Sequence, residues 1–106
     1  MKGNLDLGSL MKQAQQMQGD MQRIQEELKE RVVEASSGGG AVTAMANGAG
    51  ELVSIKLNED VVDPEDIETL EDLVLTAANS ALKEAKAMAD KEMGEVTGGM
   101  GFPGLT

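Results

Sequence analysis

Nine cations stand against nineteen anions in this chain of 106 residues, and histidine and cysteine are both absent. The chemistry open to it is therefore narrow. A Ser or Thr hydroxyl has no histidine to activate it as a nucleophile, and no disulfide framework or thiolate zinc site can be built. Trp and Tyr are missing and Phe102 is the lone aromatic, so there is no platform on which bases could stack. What remains is the attraction of Lys and Arg for phosphate. The formal charge of −10 argues against it in total, but the distribution matters more. Residues 1–25 carry Lys2, Lys12 and Arg23 against Asp6 and Asp20, and residues 73–91 carry Lys83, Lys86 and Lys91 against Glu84 and Asp90, a balance of +1 in each. The acid sits elsewhere: residues 63–72 hold Asp63, Glu65, Asp66, Glu68, Glu71 and Asp72 with no cation, a local −6. Lys12, Arg23, Lys83 and Lys86 are the candidates for contact with a nucleic acid.

Other constellations are weaker. The carboxylate pairs Glu26-Glu27, Glu59-Asp60 and Glu71-Asp72 invite an acid–base reading, which needs two carboxyls in different environments; neighbouring acids on helices and turns are ordinarily solvated. Residues 58–68 have the oxygen density of a calcium loop but lack its central Gly and its Asp spacing. Gly38-Gly39-Gly40 is not followed by Lys-Ser/Thr, so it reads as a hairpin turn and not as a phosphate cradle. No metal, cofactor, small-molecule substrate or catalytic residue is expected.

The elements that position the cations follow from periodicity. Leu7, Leu10, Ala14, Met17, Met21, Ile24 and Leu28 succeed one another at alternating steps of three and four, a heptad seam that stays on one side of a helix and asks for a partner helix. Met11 and Gln18 flank it, and its soft Met and small Ala suit an adaptable contact. This first helix is expected to begin near residues 7–9, capped by Ser9, and to end around Glu30, with Gly19 as its weak point at about 1 kcal/mol relative to Ala. Extended patterning then takes over at residues 31–36, 41–46 and 51–57, separated by the three glycines and by Asn47-Gly48, a pair suited to a tight hairpin although Ala49-Gly50 can lengthen it. Alanines make the middle strand the weakest of the three. A second helix is announced by Asp63 as cap and Pro64 at the first helical position. Its stripe of Ile67, Leu70, Val74, Ala77, Ala81, Ala85 and Met88 runs to about Met93, and its alanines imply close approach to a neighbour.

One α+β domain over residues 1–93 follows: a long N-terminal helix, a three-stranded antiparallel meander and a long C-terminal helix, with a flexible Gly-rich tail at 94–106. A domain this small gains from oligomerisation, so a dimer is expected. The longest mostly apolar stretch, residues 73–82, is too short to cross a bilayer, and a soluble, cytoplasmic protein is expected. If the helices pack antiparallel, the beginning of the first lies beside the end of the second and the two faintly basic stretches meet. A first helix of about 22 residues is roughly 33 Å long, so its front half would project as an arm. Two arms of a two-fold dimer could straddle a duplex, with weak sequence preference and strong salt dependence. The rival reading is a dimeric scaffold or adaptor whose acidic surface meets basic protein partners.

The run Leu10-Met11-Lys12-Gln13-Ala14-Gln15-Gln16-Met17-Gln18 resembles the opening helix motif of the YbaB/EbfC family of bacterial nucleoid-associated proteins. Asn47-Gly48, the block Leu70-Glu71-Asp72-Leu73-Val74 leading to Ala77-Ala78-Asn79-Ser80-Ala81, and the Gly/Met/Pro-rich end agree in order and spacing. The resemblance covers nearly the whole chain. It implies a small α+β protein that forms a tweezer-like homodimer, binds double-stranded DNA in the bacterial cytoplasm, associates with the nucleoid and has no enzyme activity.

Overall fold

Alanines and β-branched residues between glycine turns form the centre of the molecule. In the computed structural model, which describes residues 6–98, three strands β1 (Val32–Ser37), β2 (Val42–Asn47) and β3 (Leu52–Leu57) pair antiparallel in the order β1-β2-β3. Helix α1 (Leu7–Glu30) precedes the sheet; a short 3-10 turn at Glu59–Val61 leads to helix α2 (Ile67–Gly98). This is the expected α+β meander between two long helices.

The register explains the core. Ala35 and Ile55 both face Ala44, and Ser37 and Leu57 both face Val42. Side chains alternate across a strand, so Val42, Ala44 and Ala46 share one face, where they are fully buried under Ala77, Ala81 and Ala85 of α2. Small residues on both surfaces let the helix backbone settle close to the sheet. The strand that looked weakest by composition is thus the one α2 sits on. Val33, Ala35, Leu70, Leu73, Val74 and Leu82 close the rim, and the Ser37 hydroxyl donates to the Leu73 carbonyl at 2.7 Å.

Local chemistry shifts several expected boundaries. Asp6, not Ser9, caps α1: its carboxylate accepts from the Ser9 amide at 3.2 Å. Asp63 accepts from the Glu65 amide and forms a turn with Pro64, while Asp66 accepts from the Thr69 amide; the helix proper starts at Ile67. It also continues through Gly94 to Gly98, past the expected end at Met93. The segment 99–106, most of the expected tail, lies outside the described residues. The β2–β3 connection is a wider loop than a two-residue hairpin. Among the described residues no non-Gly residue has positive φ, and Gly50, at 84°, takes the left-handed position. Asn47 closes the loop by accepting from the Ala49 and Glu51 amides and donating to the Glu51 carboxylate.

How α1 joins this core decides the shape. Its last turns are held by burial of Ile24 and Leu28 and by the Gly48 amide, which donates to the Leu28 carbonyl at 2.8 Å and to the Arg31 carbonyl at 3.1 Å. Arg31 is ion-paired with Glu92 of α2. Leu28 and Gln25 line one hollow with Ala89 and Met93, so the helices do run antiparallel there. The overlap is short, however. Alpha2 spends most of its length crossing the sheet, from Leu73 at Ser37 to Glu92 at Arg31, and only its last turns lie beside α1. The expectation that the beginning of α1 meets the end of α2 is therefore not met. The front of α1 stands free, with Leu7 at 68% and Leu10 at 48% exposure, and the molecule measures 77 × 25 × 16 Å.

Candidate nucleic-acid interface

The seam on α1 fixes what the opposite side of that helix carries. A helix advances 100° per residue, so Lys12, Gln15, Gln16, Gly19, Gln22 and Arg23 fall together on the side away from Leu10, Met17 and Met21, with Glu26 and Glu30 following on the same side at the base of the helix. All eight are exposed. Lysine, arginine and glutamine are hydrogen-bond donors, and phosphate oxygens accept from charged and amide donors alike. Gly19 interrupts the stripe with a flat spot: a Cβ there would meet nothing within 4 Å. Lys12 and Arg23 lie about 16 Å apart along the axis. Arg23 is 3.6 Å from Asp20, with both side chains more than half exposed, a pairing too solvated to withhold the guanidinium from another anion.

Lys83 and Lys86 stand one turn apart on the outer surface of α2, both exposed, over the part of the helix that covers β2. Lys86 reaches Asp90 at 2.8 Å, again in solvent. Lys12 and Lys83 have no ion-pair partner among the described residues. The structure thus assembles two cationic patches per chain: Lys12 with Arg23 on the arm, and Lys83 with Lys86 on the body. It does not bring them together. From the level at which Leu28 meets Ala89, Lys12 lies sixteen residues out along α1, so the patches are on the order of 30 Å apart.

The densest group of acids occupies the other end of the molecule. Glu59, Asp60, Asp63, Glu65, Asp66, Glu68, Glu71 and Asp72 are all exposed, and they lie on and before the start of α2, where Leu73 meets Ser37 at the far end of the sheet. A sheet of six-residue strands adds roughly 20 Å to the arm, so Lys12 is on the order of 40 Å from this cluster. That is several Debye lengths at physiological salt. At the arm a polyanion meets Lys12, Arg23 and Lys29 beside Asp20, Glu26, Glu27 and Glu30, a local −1 within α1, and not the whole charge of −10. The donor stripe of glutamines and Gly19 is the part of the site that a search for cations passes over; its signal is the heptad period read from the side opposite the seam.

The calcium reading of residues 58–68 has a structural explanation: Asn58, Asp63 and Asp66 turn their side-chain oxygens onto backbone amides. Among the described residues no cluster of His, Cys, Asp or Glu could hold a metal ion, and no described helix is long and apolar enough to cross a membrane.

Comparison with known proteins shows the family. The chain is 54% identical over 103 residues to the nucleoid-associated protein Teth39_2199 of Thermoanaerobacter pseudethanolicus, covering 97% of this chain and 93% of that one. It is 50% identical over 105 residues to a nucleoid-associated protein of Alkaliphilus metalliredigens, covering 99% and 92%. The crystal structure of the uncharacterized protein HP0035 from Helicobacter pylori shares the fold, with a TM-score of 0.74 at 23% identity over 92% of this chain and all of that one. The model of the YbaB/EbfC DNA-binding family matches residues 1–100. On these matches the chain belongs to the YbaB/EbfC DNA-binding family, whose business is binding DNA and not catalysis.

Proposed function

We propose that the protein binds double-stranded DNA as a homodimer with little sequence specificity, and that it serves nucleoid organisation or gene regulation in the bacterial cytoplasm. The observation that carries this reading is the free outer face of α1, where Lys12, Gln15, Gln16, Gln22 and Arg23 present donors to one side, with Glu26 and Glu30 confined to its base and the acidic cluster of residues 59–72 far away. Lys83 and Lys86 form the second contact zone. Such donors read phosphates and not base edges, so position along the duplex is weakly specified.

The dimer is supported by what α2 leaves uncovered. It packs on β1 and β2 and barely reaches β3, so Ile55 and Leu57, on the same sheet face as Ala44 and Val42, remain 39% and 43% exposed. Leu52, Val62, Ile67 and Leu75 are exposed as well. The uncovered apolar side chains of β3 support an interaction face there. A second copy joined there leaves both arms free.

The test is a gel-shift series on several unrelated duplexes across salt, run beside a mass measurement. If four to eight phosphates are neutralised per dimer, log affinity falls against log salt with a slope of about −4 to −7, and scrambled duplexes bind alike. Absence of any retardation at low salt with micromolar protein overturns the reading in favour of an adaptor that meets basic proteins through the acidic end.

A further inference from the structure

The same arm has a second side that DNA contact does not use. Leu10, Ala14, Met17 and Met21, with Gln13 and Gln18 at the margins, line an open hollow along α1. It lies on the face opposite Lys12, and no other described element buries it: Leu10 is 48% exposed, while Met17 and Met21 are partly covered. We propose that this face pairs with the same face of a second copy, so that arms of different molecules join and the protein assembles beyond its core dimer.

Three observations select a second copy of α1. The stripe keeps the three–four spacing without a break into Ile24 and Leu28, which are buried in the chain's own core, so one pattern serves an inner contact at its base and an outer one along its length. The hollow is self-complementary: Ala14 leaves a gap bordered by Leu10, Gln13 and Met17, the arrangement that receives one side chain from a facing helix, and Met17 is such a side chain. Its margins, Gln13 and Gln18, are neutral, so two identical faces meet without the repulsion that acid-rich surfaces of the body would bring.

Geometry fixes the direction. Paired helices lie 8–10 Å apart, whereas the molecule is 25 Å by 16 Å across. Parallel arms would drive the two bodies into each other. Antiparallel arms place the bodies at opposite ends, with Ala14 against the partner's Met17 and Leu10 against the partner's Met21. The paired length, from Leu10 to Met21, is roughly 18 Å, and at about 10 Å width the footprint is on the order of 180 Å² per arm. A standard interface covers about 800 Å² per partner. One arm pair is therefore weak, and assembly is reversible, concentration-dependent and strengthened when a dimer engages through both arms.

The absence of cysteine makes the register testable by disulfide trapping in the full-length chain without DNA. Ala14→Cys and Met17→Cys chains, mixed at rising concentration and oxidised, are expected to form the 14–17 cross-link at least tenfold faster than a mixture of Lys12→Cys and Met17→Cys, since Lys12 faces away. Sedimentation velocity of the native chain is expected to show mass growing beyond the dimer with concentration, and Met17→Glu, at a site that leaves the core intact, is expected to stop that growth while preserving the gel shift. Equal cross-linking from positions 12 and 14, or a mass that does not change with concentration, overturns the proposal. So does cross-linking that appears only when residues 99–106 are removed, which would make the chain's own end the occupant. Loss of the gel shift with assembly intact would instead count against the DNA reading alone.

Discussion

Replacing Gly48 by alanine tests the joint between arm and body. A Cβ at this position would lie 2.7 Å from Leu28 Cβ, 2.8 Å from Leu28 Cδ2 and 2.8 Å from the Leu28 carbonyl oxygen. Carbon atoms in contact prefer about 3.5–4.0 Å, so the end of α1 must retreat by roughly 1 Å. It cannot do so by a rotamer change, because two of the three clashes are with Leu28 Cβ and backbone. Overpacking of this kind costs about 1–3 kcal/mol. The retreat also lengthens the bonds from the Gly48 amide to the Leu28 and Arg31 carbonyls, at 2.8 and 3.1 Å, each worth about 0.5–1.5 kcal/mol. The sum is about 2–6 kcal/mol. Urea unfolding followed by far-ultraviolet circular dichroism measures it: with a slope of about 2 kcal/mol per molar, the midpoint falls by roughly 1–3 M. Gly19→Ala is the matched control. It meets nothing and sits inside a helix, so it should raise stability by about 1 kcal/mol. If Gly48→Ala unfolds within about 0.5 kcal/mol of the native chain, the account of how α1 is anchored is wrong.

Three further outcomes are expected. Lys12→Gln should lower the salt slope of duplex binding by about one per arm, whereas Lys56→Gln, on the exposed β3, should leave it unchanged; gel shifts at four salt concentrations separate the two. Asn47→Ala removes a buried amide that holds Ala49 and Glu51, and should cost about 2–3 kcal/mol in the same urea experiment. Ile55→Glu puts a charge in the centre of the uncovered β3 face; light scattering should show the core dimer dissociating at micromolar concentration, and a dimer of native affinity would rule out this face as the interface.

Periodicity and turn residues carried most of the fold. The heptad seam located α1 to the residue at its end, and the glycine triplet and Asn47-Gly48 placed the strands within a residue of their bounds, because these signals are local. Caps were harder: Asp6, Ser9, Asp63 and Asp66 all offer oxygens, and only backbone direction decides which amide each one meets. Gly94 failed as a stop signal since its propensity deficit of about 1 kcal/mol is small beside the cooperativity of a long helix. The least legible quantity was the overlap of α1 with α2. It depends on how far α2 travels over the sheet before reaching Leu28, a tertiary length that no window of residues contains. For the site, Lys12, Arg23, Lys83 and Lys86 were visible as charges, but their division into two patches follows from that same length, and the glutamine stripe appears only when the seam's opposite face is given a purpose.

The gathering of eight exposed carboxylates between residues 59 and 72, at one end of the 77 Å axis, has a mechanical result. A rod whose negative charge is gathered at one extremity experiences a torque in the field of a polyanion and turns until that extremity points outward, before any atom touches. Approach is thereby oriented, and a duplex decorated in this way would wear the acidic ends as its outer surface, so that neighbouring decorated stretches repel one another wherever the arms do not hold them together.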